Sequence, residues 1–292
     1  MRTFFAYLDV LGFKHLFDSH QSPELHQCVN ELIHVFNSAI WKSLECPNVK
    51  KDKIYIEHEN ISDNIELRLL SDSILIWCKK PNERSFCMIV EAIQQLLFWG
   101  IKKGKPLRGV LTYGDIFLVK SREKHAPINN EAIYGKALIR AYRLEGEMQW
   151  SGCIVTPQAW TKLKRVWQGV RIPTDTPNGL FNYVPRLVWY SVPFKNSVPS
   201  QNHNQEHKPV KHQKCIAIDW NTELFDQPLQ AEDFSRCFQS EEGEVQLKAT
   251  ETSYFYNETK RIHSLHKNRI QRSRIPIPKA KYSIRDVGHK SK

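Results

Sequence analysis

Several absences narrow the reading of this 292-residue chain before any motif is considered. No uninterrupted apolar run approaches the roughly 18 residues that cross a bilayer, so the sequence predicts a soluble protein without a membrane span. The N-terminal MRTFFAYLDVLGF is apolar, yet Asp9 interrupts it and no small-residue cleavage site follows. It reads as a strand rather than a signal peptide, which places the protein in the cytoplasm. The seven cysteines are odd in number, scattered and never spaced C-x-x-C, which argues against a disulfide framework and against a zinc site. There is no internal repeat. Acid is scarce at one end: residues 260–292 hold eleven Lys or Arg against Asp286 alone, so nearly all of the net charge of +11 sits there. The body is close to neutral, and the tail reads as a solvated, basic segment, with RNA, membrane or partner binding as the alternative.

What is present is ordinary for a globular protein, 41% apolar and 25% charged. TFFAYLDV reads as a buried strand. Leu25, Val29, Leu32, Ile33, Phe36, Ile40, Trp41 and Leu44 recur at helical spacing and predict an amphipathic helix over 23–45. A polar stretch follows, then IELRLLSDSILIWCK, two apolar runs that predict a hairpin with Ser71, Asp72 and Ser73 at its tip. ERSFCMIVEAIQQLLFWGIK predicts a helix over 83–102 ended by Lys103 and Gly104. PLRGVLTYGDIFLVK predicts a strand, or a hairpin bent at Gly114, and AIYGKALIRAYRLEGEMQ a further helix. LVWYSVPF and KCIAIDW read as strands, and 229–238 and 250–270 as helices. His203, His207 and His212 lack a partner acid at ligand spacing and read as an exposed loop. The alternation favours an α+β, ferredoxin-like fold: one mixed or antiparallel sheet with helices packed against it, plus a C-terminal extension. The expected division is a core over 1–165, an α+β extension completing the domain over 166–259, and the basic tail from 260.

Two acids occupy unexpected places. Asp9 ends a run of Phe, Phe, Ala, Tyr and Leu, and Asp72 crests an apolar hairpin. Taken singly, Asp9 could cap the next helix and Asp72 could be a turn residue. Their surroundings resemble a known pair. AYLDVLGFKHLF is similar to the first-strand motif of class III nucleotide cyclases, LRLLSDSILIW to their metal-binding hairpin, and YGKALIRAYRLE to their helix with a starting glycine and a transition-state arginine. RGVLTYGD also matches in position. In this order the four segments look like the bacterial pyrimidine cyclases of the Pycsar anti-phage system, with the match good over residues 3 to 150 and loose beyond.

That resemblance implies two divalent ions, Mn²⁺ or Mg²⁺, held by Asp9, Asp72 and the carbonyl of Val10, ligands suited to hard cations. It implies a phosphate cradle from the backbone N–H groups of Leu11, Gly12 and Phe13, and a homodimer in which Arg143 serves the partner's site. The alternative for Arg143 is an exposed helix arginine paired with Glu147. Where adenylate cyclases carry a ribose-positioning asparagine, this chain has Ile139. Their purine-reading lysine and adenine acceptor fall on Arg68 and Ala132. Arginine donates and alanine accepts nothing, which favours UTP or CTP over ATP; Arg68 could equally be a surface strand residue. Arg68 and Asp72 share strand parity about 13 Å apart, roughly the reach from base to metals. The hairpin reads L-S-D-S-I, without the G-G-D-E-F-like turn of diguanylate cyclases. By analogy a separate cyclic-nucleotide-sensing effector would respond to the product, and no nucleic acid would be required. The rival readings are a catalytically degenerate nucleotide-binding module and an RNA-binding protein acting through its tail.

Overall fold

A run of residues apolar on both sides of a strand is stable only where both faces of a sheet are covered. The strand β1 (Arg2–Val10) meets that condition, with Thr3 to Leu8 all buried. The structure is a computed structural model that describes residues 1–13, 64–120, 131–166, 187–195, 210–221, 228–238 and 243–272, together with 30, 33 and 34. The expected helix over 23–45 lies outside these residues except at 30, 33 and 34, which are helical. His203, His207 and the tail beyond 272 also lie outside them.

The other strands are β2 (Ile65–Leu70), β3 (Ser73–Cys78), β4 (Leu107–Asp115), β5 (Phe117–Lys120), β6 (Glu131–Tyr134), β7 (Gly152–Val155), β8 (Leu187–Lys195) and β9 (Val210–Ile218). Seven of them form one sheet in the order β2-β3-β1-β4-β7-β9-β8, and β5 and β6 pair separately. All neighbours in the large sheet are antiparallel except β4 and β7. Its first four strands keep the ferredoxin-like order, as the sequence predicts. The expected α+β class with one mixed sheet and packed helices is met, and residues 187–218 extend the same sheet.

Helices cover both faces. The helix α1 (Glu83–Lys102) begins at a capping box in which Asn82 Oδ1 accepts from the Ser85 N–H at 2.8 Å and Ser85 Oγ accepts from the Asn82 N–H. It packs Phe86 edge-on to Phe4, 4.8 Å between ring centres. The helix α2 (Lys136–Glu147) lies on β1 and β4 from the other face, burying Ala137, Ala141 and Glu145, one stripe at i, i+4 and i+8. Its entry needs glycine: Gly135 sits at φ +147, and a Cβ there would meet the Asp115 carbonyl oxygen at 2.2 Å. α3 (Pro157–Val166) packs on β4, and α4 (Ala231–Cys237) and α5 (Gly243–Arg272) complete the order. No helix among the described residues is long and apolar enough to cross a membrane.

Three expectations are corrected and one is met. Ala132 to Tyr134 belong to β6 rather than to the helix of Gly135–Glu147. The chain does not bend at Gly114: the Ile116 N–H still donates to the Met1 carbonyl, and β5 then pairs with β6. His212 is on β9, not in a loop, with Nε2 3.2 Å from Glu251 Oε1. The helix expected over 250–270 is met by α5: Thr259 is buried and His263 reaches Asp219, so its packed face continues into the basic segment from 260.

One buried polar group ties α5 to the sheet. Asp219 is fully buried just after β9, with Oδ2 2.6 Å from His263 Nε2 and Oδ1 accepting from the Asn221 N–H at 3.0 Å. Its carbonyl accepts from Gln94 of α1. Asn221 Nδ2 donates to the Tyr256 carbonyl and to Thr259 Oγ1.

Candidate active site

The register of the central strands assembles the site. Asp9 is directly opposite Ser73 on β3 and Arg108 on β4, and Ser73 is opposite Leu70 on β2. One rung of the sheet therefore reads Leu70, Ser73, Asp9, Arg108. Two residues along, and so on the same face, a rung reads Arg68, Leu75, Tyr7, Val110. Facing residues of a rung share a face, so Arg68, Tyr7, Ser73, Asp9 and Arg108 line the face on which α2 packs.

Asp72 is the second residue of the two-residue turn between β2 and β3. Ser71 closes that turn at φ +56, a left-handed conformation uncommon for a residue other than glycine. The Val10 N–H donates to the Asp72 carbonyl at 3.1 Å, so the turn is pinned against the end of β1. This brings Asp9, Val10 and Asp72 together, as the sequence reading requires. The Leu11 N–H donates to the Pro106 carbonyl at 2.9 Å and is already committed. Of the expected phosphate cradle, Gly12 sits at φ +79 with open space where a Cβ would stand.

Arg108 and Glu145 were not singled out by the sequence reading. Arg108 Nε donates to Glu145 Oε1 of α2, and Nη1 donates to the Met148 carbonyl at 2.7 Å. Both side chains are buried. A signal existed for each: an arginine inside the apolar strand LRGVLT, and an acid in helical phase with Ala137 and Ala141. Tyr7 and Ser73 were likewise missed. The Tyr7 hydroxyl lies 2.8 Å from Ser73 Oγ, and Ser73 Oγ donates to Asp9 Oδ1 at 3.4 Å.

Burial pushes the Asp9 carboxyl up to about 7, and the charges of Glu145 and Asp72 push the same way, while Arg108 and the Ser73 hydroxyl oppose them. Burial also lifts the Tyr7 hydroxyl to about 12, so it stays a hydroxyl at neutral pH. Three carboxylates thus face one guanidinium. Such an excess of hard oxygen donors fits a divalent cation. Among the described residues no group of three or more His, Cys, Asp or Glu forms a ready-made ligand cage. Two carboxylates and a carbonyl suit ions that take their remaining ligands from a substrate's phosphates.

Of the remaining expected site residues, Arg68 shares this face of the sheet, whereas Arg143 and Ala132 lie away from it. Arg143 is exposed, two residues from both Ala141 and Glu145 and so across the helix from its buried stripe. Among the described residues it makes no ion pair with Glu147. Arg68 Nη2 lies 3.1 Å from Glu66 Oε1. Ala132 is exposed on β6 opposite Val119, outside the large sheet, and no pairing relates it to Arg68. Ile139 is 53% exposed on α2.

No protein-family model matches the sequence, and no curated protein matches it. Solved structures do. The adenylyl cyclase CyaB from P. aeruginosa is 12% identical at a TM-score of 0.42, over 75% of this chain and 94% of that one. The guanylate cyclase domain of RhGC from Catenaria anguillulae, in complex with GTP, is 9% identical at 0.46, over 75% and 96%. A dimeric guanylyl cyclase domain of the RhoGC fusion protein from Blastocladiella emersonii is 10% identical at 0.41, over 74% and 95%.

Proposed function

We propose that the chain is a metal-dependent pyrimidine nucleotide cyclase, converting UTP, or CTP, to the 3′,5′-cyclic monophosphate and pyrophosphate as a second messenger in anti-phage defence. One observation carries the reading: the β1–β3 register sets Asp9 beside the Asp72 turn, and the guanidinium that faces Asp9, Arg108, is already paired with Glu145. Asp9, Asp72 and the Val10 carbonyl would hold two divalent ions. Those ions, when bound, supply neutralisation of the triphosphate and acidify the ribose 3′-hydroxyl.

The chain's own residues do the positioning. Gly12 approaches phosphate without a side chain and offers its N–H as a donor. The ribose 3′-hydroxyl gives its proton to solvent water, its oxygen attacks the α-phosphorus in line, the bond from that phosphorus to the bridging oxygen breaks, and pyrophosphate leaves. Charge grows on the non-bridging oxygens at that moment, and an arginine fixed near them stabilises it. Arg143 takes that role across a head-to-tail homodimer, because its position on the far side of α2 turns it from its own aspartates. Arg68 donates to a pyrimidine carbonyl, and Ala132 offers no acceptor to an adenine amino group.

Purified protein with Mn²⁺ and each of the four nucleoside triphosphates tests the reading by chromatography of the products. Cyclic UMP or cyclic CMP is expected, and no cyclic product from any of the four would reject it. Ile139 favours a second reading, because its side chain offers no hydrogen bond to a ribose: a nucleotide-binding module without turnover. Calorimetric binding of a triphosphate with no pyrophosphate released would select that reading.

A further inference from the structure

A serine hydroxyl carries one proton and accepts through two lone pairs, whereas an ionised carboxylate only accepts. Ser73 stands between Tyr7 and Asp9, 2.8 Å from the first hydroxyl and 3.4 Å from Oδ1 of the second. The chain of hydrogen bonds therefore has one polarity: the Tyr7 hydroxyl donates to Ser73, and Ser73 donates to Asp9. This polarity belongs to the ionised Asp9, the form that holds a cation: if Ser73 instead gave its proton to Tyr7, nothing would orient the carboxylate. Tyr7 thus decides where the serine proton points.

The setting is built for this. Tyr7 is 8% exposed and Ser73 is 7% exposed. The Tyr7 ring is met edge-on by Tyr142 of α2, with centres 5.7 Å apart at 87°. A phenylalanine would fill the ring space equally well, so the buried hydroxyl needs its own explanation. Ser73 directly follows Asp72 in the chain and directly faces Asp9 across the ladder. One hydroxyl therefore touches the first candidate ligand and anchors the turn that carries the second. Partners that bond to ligating side chains fix their orientation, and removing such a partner typically lowers metal affinity about 10- to 100-fold.

We propose that Tyr7 and Ser73 are positioning residues for the divalent cation of Asp9 and Asp72: Tyr7 orients Ser73, and Ser73 occupies Asp9 Oδ1 so that Oδ2 faces the cation. The inference rests on the metal site of the proposed function, but it is separable from turnover. The test is Mn²⁺ binding to the whole chain, without nucleotide, followed by electron paramagnetic resonance. Tyr7→Phe and Ser73→Ala are each expected to weaken binding about tenfold. The double variant should bind no more weakly than Ser73→Ala alone, because without the serine the tyrosine has nothing to orient. Tyr190→Phe, which removes a β8 hydroxyl that donates to the Glu251 carbonyl of α5, should bind like wild type.

Unchanged Mn²⁺ affinity in Tyr7→Phe overturns the proposal, as does a double variant whose loss equals the sum of the single losses. Should Ser73→Ala not fold, Tyr7→Phe decides alone. Wild-type binding no tighter than that of Asp9→Ala removes the metal site itself and this proposal with it. Binding that Asp9→Ala loses and Tyr7→Phe keeps removes the proposal only.

Discussion

At the end of β9, Asp219 is fully buried, yet both carboxyl oxygens have partners: His263 holds one, the Asn221 N–H the other, and Gln94 takes the carbonyl. At the end of β1, Asp9 is also largely buried, but its neighbours are two further acids, one arginine shared with Glu145, and one serine. The two aspartates look alike in sequence, each closing an apolar strand. Their surroundings separate a carboxylate that holds the fold together from one kept available for something positive. A buried charge balanced within the chain has no work left for a ligand, whereas an unbalanced one is a standing cost that a cation would remove.

Breaking each end in turn sharpens that contrast. The largest effect is expected at the unbalanced end: Asp72→Ala should lower turnover on the order of a thousandfold, since it removes a ligand needed in the transition state. Its thermal midpoint should not fall, because a repelling charge has been taken away. Activity together with differential scanning calorimetry checks both halves. At the balanced end, Asp219→Ala should do the reverse. Urea unfolding should show a loss of about 3 kcal/mol, the usual cost of breaking a buried pair, while Mn²⁺ affinity stays at the wild-type level.

A smaller effect should appear with pH. The Asp9 carboxyl is raised to about 7 in the folded protein. A raised acid contributes stability that is fully present below its unfolded value and is lost as pH rises through the folded one. Without metal, stability attributable to Asp9 should therefore decline between roughly pH 4 and pH 7, and Asp9→Asn should flatten the decline. Mn²⁺ added at pH 8 should restore wild type and leave Asp9→Asn where it was. Denaturant midpoints across that range measure the difference.

Much of the scaffold was legible in the sequence because it depends on short-range periodicity. TFFAYLDV, the two runs around Ser71 to Ser73, and residues 83–102 each carry their own period and turn residues, and each falls where expected. Asp9 and Asp72 were legible as acids out of place. What escaped depends on register between distant segments. Nothing local sets Arg108 opposite Asp9; that follows from β1 and β4 aligning Arg2 with Asp115 and Val10 with Leu107. Tyr7 and Ser73 meet for the same reason, across β1 and β3. Residues 132–134 were misread as helix because AIYGKALIRAY is apolar enough to continue the pattern backwards, and only the close approach of Gly135 to Asp115 shows where it stops. His263 escaped because its partner Asp219 is distant in sequence, and only the packing of α5 at the end of β9 brings them together.

The position of Arg143 on the outer side of α2 has an arithmetic consequence. Under the proposed head-to-tail pairing, a chain contributes its aspartates to one reaction and its arginine to another, so neither Asp72→Ala nor Arg143→Ala alone can complete either. Mixed in equal amounts and allowed to exchange, half of the dimers carry one chain of each kind. In those, one centre inherits both defects and the other inherits none. Two inactive preparations should then recover about a quarter of wild-type activity, and lose it again on dilution below the dimer's dissociation constant. A single chain completing its own site would recover nothing.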